Sequence, residues 1–116
     1  MRFVLHGSLF PSVADALKQH EHQVVDPLET TDPGEFLKRA HKRQLDIVTA
    51  DGALVDAMYA QKIPFGRSIV FLQLQGGDVE QDDAIDRLFT RYKRLSPGRL
   101  YTVTATRVKI RQLPSA

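Results

Sequence analysis

The carboxylate best placed to do chemistry is Asp51. It ends the run Asp46-Ile47-Val48-Thr49-Ala50-Asp51, a short apolar strand pattern that passes through a polar turn into a helix over about Ala53 to Gln61. In an open parallel sheet the carboxyl ends of the strands face the crevice where ligands bind. A carboxylate there can hold a metal ion or a water. It can equally cap the helix, accepting hydrogen bonds from backbone N–H groups that lack a partner within it. His6 leaves the first strand, Arg2-Phe3-Val4-Leu5, and opens onto the same crevice, with Ser8, Thr49 and either Glu35 or Asp32 as companions. Mixed nitrogen and oxygen donors of this kind suit a divalent cation, or a phosphate without a metal. They also suit a polar cluster that ties strand-end loops together.

Alternating strands and helices must position these residues. Pro11 at a first helical position, with Ser12 beside it, opens a helix through about His20, with Val13, Ala16 and Leu17 on one face. Gln23-Val24-Val25 is a second strand. In Thr30-Thr31-Asp32-Pro33-Gly34-Glu35, Asp32 and Glu35 have capping-box spacing, with Pro33 at the first position of a helix ending near Arg43. Asp46–Thr49 is the central strand, Ser68–Leu74 the most apolar one, and Val79–Leu95 an amphipathic helix that starts acidic and ends basic. Ser96-Pro97-Gly98 stops it. Arg99–Leu113 then alternates as two strands around Thr104–Thr106, a hairpin whose turn has neither Gly nor Asn. The pattern predicts one α/β domain over residues 1–116, three layers deep (α/β/α), with a largely parallel sheet, right-handed crossovers and a C-terminal antiparallel hairpin.

The 116 residues suffice for one core without staples. No cysteine is present, which excludes disulfides, thiolate metal sites and cysteine nucleophiles. There is no phosphate loop, GxGxxG or GxSxG, and the four histidines, His6, His20, His22 and His41, have no zinc spacing. Met1–Leu5 is too short an apolar run for a signal peptide or membrane span, so a cytoplasmic protein is expected. The net charge of +2 hides an asymmetry: residues 1–86 carry all 14 acids and 8 bases, and residues 87–116 carry 8 bases and no acid. Arg99, Arg107, Lys109 and Arg111 form a basic tail that can meet RNA, DNA or an acidic protein, or simply face water.

The ordered set Phe3-Val4-Leu5-His6-Gly7-Ser8-Leu9, His22-Gln23-Val24-Val25, Asp32-Pro33-Gly34-Glu35-Phe36-Leu37, Thr49-Ala50-Asp51-Gly52-Ala53-Leu54, Gly98-Arg99-Leu100 and Arg107-Val108-Lys109-Ile110-Arg111 resembles the small PIN-like proteins related to the Mut7-C domain. That family is often found as toxin-like partners of small antitoxins. The resemblance implies a fold similar to that of metal-dependent nucleases, in which clustered carboxylates hold Mg²⁺ or Mn²⁺ to activate water and stabilise charge on a phosphodiester. Carried over, the family's first aspartate falls on His6, its glutamate on Gly7 and its asparagine on Ser8. The second acid falls on Asp32 or Glu35, the third on Asp51 and the fourth on Ala53. Two functions follow from the resemblance. One is a ribonuclease with Asp51, Glu35 and His6 catalytic, Asp51, Glu35 and Asp32 on the metal, and Arg99, Arg107, Lys109 and Arg111 on the RNA. The other is a non-cleaving domain, with no metal, that binds RNA or a protein, such as an antitoxin-like partner or a second copy of the chain.

Overall fold

A computed structural model describes residues 1–30 and 32–114. Thr31, part of the loop expected before the second helix, lies outside the described residues. Six strands, β1 (Arg2–His6), β2 (Gln23–Val24), β3 (Asp46–Thr49), β4 (Ile69–Leu72), β5 (Arg99–Val103) and β6 (Val108–Gln112), form one sheet in the order β2-β1-β3-β4-β5-β6. All pairings are parallel except β5–β6. Four helices alternate with the strands: α1 (Pro11–Gln19), α2 (Pro33–Lys42), α3 (Gly52–Ala60) and α4 (Asp78–Arg91). The expected α/β architecture, with a mostly parallel sheet and a terminal antiparallel hairpin, is the one observed.

Successive strand residues point to opposite faces, which divides the core in two. Phe3, Val48, Val70 and Tyr101 pack beneath α1 and α4. Val4, Ile47, Ile69 and Leu100 pack beneath α2 and α3. The strand doublets are therefore buried on both sides, as a covered parallel sheet requires.

The layer that α4 joins differs from expectation. The crossovers through α1, α2 and α3 share one hand. The β4–α4–β5 crossover continues in the same direction as β3–α3–β4 yet lies on the other face, beside α1. With the first three right-handed, as parallel crossovers overwhelmingly are, the last is left-handed. Coverage supplies the reason. The reversal of strand order leaves α1 as the sole helix on its face, and Val70, Leu72, Tyr101 and Val103 would otherwise meet water. Ala84, Ile85, Leu88 and Phe89 of α4 cover them.

α4 also ends at Arg91 rather than Leu95. Tyr92 turns to extended geometry (φ −122°, ψ 97°) and packs edge-on against Tyr101 at 5.7 Å. Ser96 N donates to the Tyr101 hydroxyl at 2.9 Å, and Leu95 is buried. The apolar spacing that reads as another helical turn is satisfied by a loop. In the hairpin, Thr104 supplies what Gly or Asn usually does: its Oγ1 accepts from Arg107 N at 3.2 Å, while Thr104 N donates to Arg107 O at 2.9 Å.

Candidate functional site

Strand order reverses between β1 and β3, because β2 lies on one side of β1 and all later strands on the other. Ligands in open α/β sheets bind outside the carboxyl ends of the strands at such a switch point. His6 and Thr49 are the last residues of those two strands and are paired in register. They point to the α2/α3 face, where the His6 ring lies 4.6 Å from that of Phe36.

The hydrogen bonds here define a small rigid unit. Thr49 is fully buried, and its Oγ1 accepts from Asp51 N at 3.0 Å. The other contact of that oxygen is His6 Nδ1 at 2.9 Å. The Thr49 hydroxyl has lone pairs for both partners and a hydrogen of its own, so this one oxygen links the exit of β1 to the turn after β3. Burial pushes the His6 pKa below 6.5, only partly offset by the charge of Asp51. The His6 ring is half-buried at the strand end. It borders an open cleft of about 490 Å³ together with Leu5, Leu28, Thr30 and Phe36.

Gly7 makes this arrangement possible. It turns the chain at φ +79°, and a Cβ there would lie 3.1 Å from Asp51 Cβ and 3.4 Å from Asp51 N. The β1 exit therefore closes directly onto the β3 exit. Ser8 is exposed, and its carbonyl accepts from Gln81 Nε2 at 3.3 Å.

The carboxylates have local partners. Asp51 is the N-cap of α3, with Oδ1 accepting from Ala53 N at 2.9 Å. Asp32 is the N-cap of α2, with Oδ2 accepting from Glu35 N at 2.9 Å. The second half of the expected capping box is missing, because the Glu35 side chain pairs with Arg39 at 2.9 Å and Asp32 N donates to Thr30 Oγ1 at 3.3 Å. No three His, Asp or Glu side chains among the described residues form a group that could hold a metal ion. A Mg²⁺ site needs several oxygens in near-octahedral array. The residues carried over from the resemblance, with His6 and Gly7 where carboxylates would stand, do not supply them.

The basic tail does not form one surface. Arg107 lies in the hairpin turn and Lys109 near the start of β6, both at the carboxyl end of the parallel strands. Arg99 opens β5 and Arg111 lies near the end of β6, at the opposite end. Arg111 and Lys109 project to the face of Leu100, whereas Arg99 projects to that of Tyr101. The Arg111 guanidinium lies 3.8 Å over the ring of Tyr59, whose hydroxyl donates to Gln112 O at 2.8 Å.

Two structural contributors escape a reading of the sequence alone. Gln81 bridges Phe10 N (2.9 Å) and Ser8 O, fixing the loop after β1 from α4. Its spacing with Ala84, Ile85 and Leu88 places it on the inner stripe and is the signal that could have found it. Asp46, 1% exposed, accepts from Ser68 N at 2.9 Å and Ser68 Oγ at 2.7 Å and pairs with Arg67 at 3.3 Å. Nothing in its spacing foretells this. No helix among the described residues is long and apolar enough to cross a membrane. Comparison with protein-family models, with curated proteins and with solved structures finds no match.

Proposed function

We propose that this chain is a PIN-like domain that has given up metal-dependent cleavage and works as an RNA-binding module. One observation carries the reading: the acids at the metal-holding positions of the resemblance are each committed to local structure. Asp32 and Asp51 cap helices, and Glu35 pairs with Arg39. The strand-end unit of His6, Thr49 and Asp51 shapes a crevice wall instead of a hard-cation site, and Gly7 closes the gap a carboxylate would fill. Arginine and lysine outnumber acid in residues 87–116, and although the hairpin divides them between the two ends of the sheet, either end offers cations to a polyanionic ligand.

The test combines melting and RNA assays. Thermal unfolding is recorded with Mg²⁺, Mn²⁺ and Zn²⁺, because an ion that binds the native state alone must raise the transition. Labelled single-stranded RNA is then incubated with the protein and each ion. Retention of intact RNA with no metal-dependent shift is the expected result. Metal-dependent cleavage that Asp51→Ala abolishes would restore the nuclease reading and overturn this one.

A further inference from the structure

We propose that RNA is held at the amino end of the sheet, opposite the His6 crevice, with a phosphate in a basic cleft and a neighbouring base in an apolar hollow. This inference rests on the RNA-binding reading above and adds the place of contact.

In a parallel layered domain the strand starts and the last turns of the helices share one end. Here that end gathers Lys42 and Arg43 closing α2, Arg67 ahead of β4, Arg94 beyond α4, Arg99 opening β5 and Arg111 near the end of β6. Asp32, Asp51, Asp78 and Glu80 stand at helix starts, at the other end. Few acids oppose the basic collar. Glu21 lies in the α1–β2 turn, Asp86 is paired with His20, and Asp46 is buried against Arg67 and Ser68. Basic last turns complement helix dipoles. Arg99 lies outside the helices, so that explanation does not reach it, and Arg67 is held by Asp46.

Two hollows adjoin within the collar. One, of about 430 Å³, is bordered by His41, Lys42, Gln44 and Arg67. The other, of about 240 Å³ and mostly apolar, is bordered by Pro64, Phe65 and Leu113, and both touch His41 and Gly66. Gly66 N donates to His41 Nδ1 at 3.0 Å, so the neutral ring carries its hydrogen on Nε2. Arg67 reaches Asp46 through Nη2, while its buried Nε–H has no partner among the described residues. The exposed Lys42 ammonium at the cleft's border supplies charge for a phosphate there. A basic cleft beside an apolar hollow matches the alternation of phosphate and base along a single strand.

The experiment measures fluorescence anisotropy of a short labelled single-stranded RNA against salt, for wild type, Lys42→Glu with Arg43→Glu, Arg99→Glu, and Arg107→Glu with Lys109→Glu. All these side chains are exposed, and melting curves confirm that each variant folds. Losing two phosphate contacts should raise Kd by about tenfold and flatten the log–log salt slope by about 1.4 for single-stranded RNA. That loss is expected for the Lys42/Arg43 pair, with Arg99→Glu, whose side chain projects to the opposite face of the sheet, and the Arg107/Lys109 variant both near wild type. Loss in the Arg107/Lys109 variant alone overturns this site and leaves the RNA reading standing. No RNA retention by wild type at low salt overturns both. Competition by polyglutamate as effective as by unlabelled RNA of equal charge assigns the collar to an acidic protein and overturns the proposal.

Discussion

Replacing Gly7 by alanine tests whether the candidate site depends on a close approach of two strand exits. Two costs apply. The backbone at φ +79° is left-handed, which costs an L-residue about 1–2 kcal/mol. The new methyl would also lie 3.1 Å from Asp51 Cβ. Asp51 has little freedom to yield, since its N–H is held by Thr49 and its carboxylate by Ala53 N; overpacking of this kind adds about 1–3 kcal/mol. The smaller entropy of the unfolded alanine chain returns about 0.4–1 kcal/mol. The net expectation is a loss of about 2–3 kcal/mol. Gly98→Ala isolates the first cost, because Gly98 has φ +77° and a Cβ there would meet nothing within 4 Å; it should lose about 1 kcal/mol or less. Urea denaturation of both variants and wild type gives the comparison, and at about 4 °C per kcal/mol for a chain of this size melting should show the same order. Equal losses at the two positions would refute the claim that Gly7 is there to let the β1 exit close on Asp51. Gly7→Glu, which restores the carboxylate of the resemblance, should destabilise at least as much as alanine and create no Mn²⁺-dependent shift.

Three further expectations follow from the same contacts. Asp51→Ala should cost about 1 kcal/mol as a lost helix cap and Asp51→Ser much less, with neither value changed by Mn²⁺; a Mn²⁺-dependent rise in wild type that Asp51→Ala lacks would contradict the cap. Because the folded state holds the His6 pKa below 6.5, the unfolded chain binds more protons as pH falls below that value, so the His6 contribution is complete above 6.5 and is lost on acidification. His6→Gln should flatten the fall in stability below pH 6.5, leaving the share of His22, whose pKa burial also lowers; an unchanged slope in urea denaturation across that range would count against it. Asp46→Ala removes the acceptor of the buried Ser68 N and Oγ and the partner of the partly exposed Arg67 and should cost about 1–3 kcal/mol, so a loss below about 0.5 kcal/mol would show that the network relaxes freely.

Local chemistry was legible in the sequence wherever one residue decides the outcome. Pro11, Pro33 and the spacing of Asp32 and Asp51 mark helix starts that the structure places within a residue. The doublets Ile47-Val48 and Ile69-Val70 announce strands buried on both faces. Where the decision belongs to a distant partner, the pattern misleads. Tyr92 and Leu95 keep a helical spacing while Tyr101, on another strand, draws them into a loop. Thr104 closes a hairpin without the usual turn residues because its hydroxyl reaches Arg107.

The site shows the same division more sharply. His6, Thr49 and Asp51 were recognisable as strand-end polar residues, and their adjacency follows from β1 pairing with β3. What they do together depends on one hydroxyl that meets both the His6 ring and Asp51 N–H, a meeting that only the packed strand ends create. The charge asymmetry along the chain likewise mistakes its own geometry. Arg99 and Arg107 sit close in sequence but at opposite ends of the sheet, whereas Lys42 and Arg67, far from the basic tail, border one cleft. A hairpin splits a run of bases between the two ends of the sheet, while parallel crossovers bring the bases that close them to one end. The collar at the amino end is therefore a property of the topology, and only a strand order could reveal it.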